Sequence, residues 1–160
     1  MSANTDASAA ADERELVTMT IAGQLFGVDV TAIHEVFQPR GVSPAPMARP
    51  EIAGVLNLRG RIVTMVCARR RLGLPERAAG APAPMAVGVA KDGDSYGVLV
   101  DSVDEVLRLP AAAFEPTPVN LDPRWTAVSL GVYRLDARLL IVLDIGRLLE
   151  FAPAVLEAAA

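Results

Sequence analysis

The run Ile52-Ala53-Gly54-Val55-Leu56-Asn57-Leu58-Arg59-Gly60-Arg61-Ile62-Val63-Thr64-Met65-Val66 constrains the fold more than any other part of the chain. Two apolar, β-branched segments flank Arg59-Gly60, and a two-residue hairpin turn demands positive φ, which glycine adopts at no steric cost. The pattern predicts a β-hairpin. Asn-Gly or Asp-Gly would suit such a turn better than Arg-Gly, and Asn57, Arg59 and Arg61 crowd the tip. Either these groups simply solvate the tip, or an arginine is wanted there for binding.

The flanking sequence carries the same short-strand grammar. Leu16 to Ala22 alternates loosely and turns at Gly23-Gln24 into Leu25 to Val30. Thr31-Ala32-Ile33-His34 suits one helical turn before Glu35-Val36-Phe37 resumes an extended course, after which Pro39, Gly41, Pro44, Pro46 and Pro50 forbid regular structure. Beyond the central hairpin, Cys67 to Leu74 reads as a short helix stopped by Gly73 and Pro75. Residues 75–84 are rich in Ala, Pro and Gly and read as a linker, an approximate boundary between two subdomains or a long surface loop. Further hairpins are expected around Asp92-Gly93 and Asp136-Ala137, and a short amphipathic helix over Ile145 to Phe151. Residues 1–15 read as a disordered leader and 151–160 as a tail with little to bury, leaving 16–150 as one domain. Many short strands, tight turns and almost no helical period predict an all-β architecture of small barrels.

Composition excludes several classes of function. The net charge of −4 lacks the basic footprint of a nucleic-acid binder, and the cluster Arg69-Arg70-Arg71 reads as a solvated face of the short helix. No stretch is long and apolar enough to insert in a membrane, and the start lacks the basic and apolar regions of a secretory signal. A single cysteine, Cys67, forms no internal disulfide, which with the rest predicts a cytoplasmic protein.

The inventory for catalysis is thin. His34 is the only histidine and Cys67 the only cysteine, so neither a Cys/His metal set nor a Ser-His-Asp arrangement has spare members, and no cofactor is expected. Gly54 and Gly60 resemble the spacing of a phosphate loop, but Arg61-Ile62 stand where Lys and Ser/Thr are required. Asp92-Gly93-Asp94 lacks the ligand spacing of a calcium loop. Adjacent Asp104 and Glu105 on a strand point to opposite faces and read as surface charge. Cys67 is expected to pack as a small apolar group, and Trp125 to plug the core or anchor a partner.

The string I-x-G-V-x-N-L-R-G at Ile52 to Gly60 resembles the signature of the CheW family, the coupling proteins of bacterial chemosensory arrays. The likeness extends to Phe26-Gly27-Val28-Asp29-Val30 with Ile33-His34-Glu35-Val36, to Tyr96 through Leu107, and to the closing hairpin Gly131 through Ile145, covering about Leu16 to Glu150. The resemblance implies two five-stranded, SH3-like β-barrels packed together, with chain crossover between them common in the family. It implies an adaptor, not an enzyme, joining the cytoplasmic tip of methyl-accepting chemoreceptors to the regulatory domain of the histidine kinase CheA, and alternating with it in rings that also hold other copies of the adaptor. Where the family usually has Pro and then Asp-Leu-Arg after the hairpin, this chain has Thr64 and then Cys67-Ala68-Arg69. Where the ring interface often carries an aromatic, it has Val119-Asn120.

Ile33, Glu35, Val36, Gly54 and Arg59 fall on positions the family uses for partner contact, and Val30 and Val106 match more loosely. The resemblance gives these residues a physical sense: Val30, Ile33 and Val36 suit an apolar patch for a helical hairpin, and Gly54 a close backbone approach. Ordinary strand packing is the competing account of the valines. The family also places Glu35 and Arg59 side by side, which predicts an ion pair. Two other functions remain open: coupling in an auxiliary chemosensory pathway not concerned with motility, and a small-ligand-binding β-barrel, which would need convergent polar groups that the sequence supplies sparingly.

Overall fold

In the computed structural model, which describes residues 12–150, the expected short strands build two five-stranded sheets. In chain order the strands are β1 (Glu13–Ile21), β2 (Gln24–Asp29), β3 (Glu35–Phe37), β4 (Ile52–Leu58), β5 (Arg61–Cys67), β6 (Met85–Lys91), β7 (Asp94–Val100), β8 (Ser102–Pro110), β9 (Ser129–Leu135) and β10 (Arg138–Leu143). Three one-turn helices, α1 (Ala68–Arg71), α2 (Pro123–Thr126) and α3 (Ile145–Leu148), and two 3-10 turns, Val30–Ala32 and Ala111–Ala113, complete the described chain. The first sheet has the order β8-β1-β2-β10-β9 and the second β3-β6-β7-β5-β4, an SH3-like pair of small barrels.

The chain crosses between the sheets twice. It leaves the first sheet after Asp29, builds the whole of the second from Glu35 to Val100, and returns at Asp101. Residues 75–84 therefore do not divide the two barrels: they lie inside the second, between α1 and β6, and β5 on one side of them pairs in parallel with β7 on the other. Glu13, Arg14 and Glu15, expected in the leader, are strand residues paired with Pro110, Leu109 and Arg108. The remainder of the expected leader, 1–11, and the tail, 151–160, lie outside the described residues.

Three hairpin turns follow one design, each an ordinary residue and a glycine both at positive φ: Ala22-Gly23, Arg59-Gly60 and Asp92-Gly93. These are the dihedrals of a type I′ turn, whose twist matches that of the strands it joins. The first turn sits one residue earlier than the sequence predicted.

The strands carry runs of buried residues, such as Leu16 to Met19 and Leu140 to Leu143, in place of simple alternation. Side chains on a strand point alternately to its two faces, so both faces must be covered. In β10, Leu140 and Val142 enter the first barrel's own interior with Leu16, Leu25 and Tyr133. Ile141 and Leu143 enter a larger cluster that also draws Val17, Met19 and Phe26 from the first sheet and Val87, Tyr96 and Val98 from the second. A smaller cluster, Leu56, Val63, Met65 and Ala86, fills the second barrel. The largest apolar core is thus the one the two sheets share. Trp125 joins its margin, edge-on to Phe26 at 5.2 Å between ring centroids, as a core plug.

Candidate protein-interaction site

Leu58 pairs with Arg61 across the central turn, with Arg59 at φ 53° and Gly60 at φ 81°. A non-glycine residue in the left-handed region is disfavoured by roughly 1–2 kcal/mol, so the turn holds Arg59 at a local cost. Asn57 offsets part of it, because its side-chain oxygen accepts the Gly60 N–H at 2.9 Å. Asn57 therefore shapes the tip, and Arg59 is left to project from it.

Arg59 projects onto Glu35. Its Nη2 donates to both carboxylate oxygens, at 2.6 Å to Oε1. Glu35 lies on β3 and the turn joins β4 to β5, so the pair closes the gap between opposite edges of the second sheet across the mouth of its barrel. Glu35 is opposite Gly88 on β6, where a Cβ would come within 3.2 Å of the Glu35 Cγ; the glycine makes room for the acidic side chain. The Arg59 side chain is 72% exposed and that of Glu35 28%, so the pair contributes only about 0–1 kcal/mol to stability. What it fixes is the position of a guanidinium at the surface.

The apolar candidates divide. Val30 and Val36 are 37% and 40% exposed, on the crossover from the first sheet to the second and on β3, while Ile33 between them is half-buried against the shared core. Asp29 anchors this crossover: its carboxylate accepts the Thr31 N–H at 2.9 Å and the Thr31 hydroxyl at 2.6 Å, and these bonds hold its pKa below the usual range. Val106 stands apart on β8 of the other sheet, opposite Val17 and 53% exposed. At Gly54 the close backbone approach is made by the chain itself. Ser43 exchanges two backbone hydrogen bonds with Val55, and a Cβ on Gly54 would fall on the Ser43 carbonyl oxygen and 2.9 Å from Val42 Cγ1.

Other residues singled out in the sequence have structural partners. Of the three arginines expected on a solvated face, Arg70 is exposed and pairs with the exposed Glu76 at 2.8 Å, whereas Arg69 grips Asp101 with two hydrogen bonds and Arg71 donates to the carbonyls of Leu148 and Arg147 at the end of α3. The bonds of Arg71, with that of Lys91 to the Gly146 carbonyl, tie the second barrel to the first. Asp104 and Glu105 are both exposed because β8 bulges there, the register passing from Val17↔Val106 to Met19↔Val103. The buried Thr18 hydroxyl satisfies the bulge, bonding the Glu105 carbonyl and N–H. Cys67 is half-buried at the end of β5. No group of His, Cys, Asp and Glu among the described residues could hold a metal ion, and no helix among them is long and apolar enough to cross a membrane.

A family model described as CheW-like domain matches residues 15–152. The Thermotoga maritima protein named Chemotaxis protein CheW is 32% identical over 139 residues, 86% of this chain and 89% of that one. A Rhizobium meliloti protein of the same name is 28% identical over 134 residues, 82% of this chain and 84% of that one. Among solved structures, the crystal structure of the scaffolding protein TtCheW from Thermoanaerobacter tengcongensis matches with a TM-score of 0.75 at 28% identity, over 86% of this chain and 92% of that one. With a family match spanning both five-stranded sheets and a relative 32% identical over most of both chains, the chain belongs to the CheW-like domain family.

Proposed function

We propose that this chain is a non-enzymatic adaptor of a bacterial chemosensory array, joining the cytoplasmic tip of chemoreceptors to the regulatory domain of the histidine kinase CheA. The observation that carries the reading is the Glu35–Arg59 pair at the barrel mouth, where a left-handed turn holds a charged side chain outward at the cost of local strain while adding little to stability. Beside it, Val36 on the same short strand and Val30 on the preceding crossover offer apolar area. Exposed apolar residues next to an anchored arginine are the ingredients of a protein-binding hot spot. The names of the relatives, chemotaxis proteins and a scaffolding protein, support the same reading. In it the protein is cytoplasmic and reaches the array through its partners. The test is reconstitution with purified kinase regulatory domain and a receptor-tip fragment. The reading expects a complex of all three that does not form without this chain, and binding of neither partner would overturn it.

A further inference from the structure

The Glu35–Arg59 pair joins elements at opposite edges of the second sheet, so it forms only if β3 is held at a fixed distance from the β4–β5 turn. β3 is three residues long and, among the described strands, pairs with β6 alone. So short a strand has few ladder bonds to hold it, and Val36 at its centre is exposed. Its anchor inside the barrel is Phe37. Two residues from Glu35, Phe37 points to the same face of the strand and packs against the cluster of Leu56, Val63, Met65 and Ala86.

The wall that faces Phe37 lacks side chains. Gly88 on β6 is opposite Glu35, and Gly97 on β7 is opposite Gly88. A Cβ on Gly88 would stand 3.7 Å from Phe37 Cε1 and 3.2 Å from Glu35 Cγ, and one on Gly97 would stand 3.3 Å from Phe37 Cζ and 2.8 Å from Met65 Sδ. Neither glycine has a positive φ, so the backbone does not demand glycine at either place. What the two missing side chains supply is space, a slot that admits the edge of the Phe37 ring and the stem of Glu35. Close packing of this kind fixes a side chain in place, because a small shift forfeits its dispersion contacts.

We infer that Phe37, seated in the Gly88–Gly97 slot, is a positioning residue of the interaction site: it sets Glu35, and through Glu35 the pose in which Arg59 is presented. The inference rests on the adaptor reading for what Arg59 meets, and on the packing alone for how Arg59 is held. Leucine at this position keeps apolar bulk in the barrel but has no ring edge to enter the slot. β3 then loses its fixed distance from the turn, and the ion pair loosens.

The experiment compares the isotope-labelled wild type with Phe37→Leu and with Ile141→Val, which thins the shared core and leaves the interior of the second barrel intact. Amide spectra confirm the fold of each. The first signal is the order of the Arg59 side chain, read from nitrogen relaxation of its Nε–H without any partner. Phe37→Leu should cut the heteronuclear NOE by about half, and Ile141→Val should leave it unchanged. The second is a double-mutant cycle with the kinase regulatory domain and the receptor-tip fragment. For the partner that Arg59→Ala weakens, Phe37→Leu should cost about threefold or more in affinity in the wild-type chain and nothing further in Arg59→Ala, the non-additivity of coupled residues. An Arg59 signal as ordered in Phe37→Leu as in the wild type, an equal loss of order in Ile141→Val, or losses of affinity that add across the cycle would each overturn the inference. A wild type that binds neither partner would overturn the adaptor reading instead, and the Arg59 signal would then decide this inference by itself.

Discussion

Arg69 and Asp101 grip each other through two parallel hydrogen bonds, Nε to Oδ1 at 3.0 Å and Nη2 to Oδ2 at 2.7 Å, at the point where the chain returns from the second sheet to the first. Both side chains are about four-fifths buried, and the same carboxylate accepts the Ala22 N–H from the first barrel's β1–β2 turn at 2.9 Å. One aspartate thus ties α1, the crossover and that turn. Asp101→Asn should destabilise the protein by about 2 kcal/mol in urea unfolding at neutral pH, since charge-assisted bonds contribute roughly 1.5–3 kcal/mol and Arg69 would lose its counter-ion.

The same pair sets a pH dependence. The Arg69 hydrogen bonds hold the Asp101 carboxyl below its usual pKa, with the Ala22 N–H and the Arg77 charge acting in the same direction against the opposing effect of burial. A lowered folded-state pKa means that the unfolded chain binds the proton first, so the stabilisation is complete above the unfolded value of about 3.9 and is lost as pH falls through the folded one. The wild type's advantage over Asp101→Asn, measured by urea unfolding across a pH series, should hold from neutral pH down to about pH 4 and shrink below it.

Gly54→Ala should unfold the local structure before it informs on binding. The added methyl would meet the Ser43 carbonyl, which accepts the Val55 N–H at 2.8 Å while the Ser43 N–H donates to the Val55 carbonyl at 2.9 Å. A loss of at least about 2 kcal/mol is expected, read as a fall in melting temperature.

Arg59→Gly should separate stability from function. Glycine relieves the left-handed strain at φ 53° while the lost ion pair contributed little, so the variant's stability should stay within about 1 kcal/mol of the wild type. Partner binding should nevertheless fall, a combination that calorimetry and a binding assay on the same sample would read together.

The shared core predicts that the barrels do not unfold separately. Ile141, fully buried between the sheets, should cost about 2–5 kcal/mol when cut to alanine. The amide signals of Gly27 in the first sheet and Gly97 in the second should disappear at one denaturant concentration.

The hairpins and the all-β class were legible because glycine in a two-residue turn leaves a local signature, as at Arg59-Gly60 and Asp92-Gly93. The Glu35–Arg59 pair was legible only through family likeness, since nothing in the spacing of the two residues places β3 beside the β4–β5 tip. Arg69 and Arg71 were misread because their partners are a distant carboxylate and distant backbone carbonyls, Asp101 and Leu148 among them, which leave no periodic trace. Residues 75–84 have the composition of a surface segment, but composition does not reveal that β5 and β7 pair across them.

The most direct test of the adaptor account is the affinity of purified Glu35→Ala and Arg59→Ala chains for the kinase regulatory domain and for a receptor-tip fragment, measured beside their melting temperatures. The account predicts binding to at least one partner weakened by about tenfold or more in both variants, with melting temperatures within a few degrees of the wild type. Two folded variants that bind both partners as tightly as the wild type would contradict it.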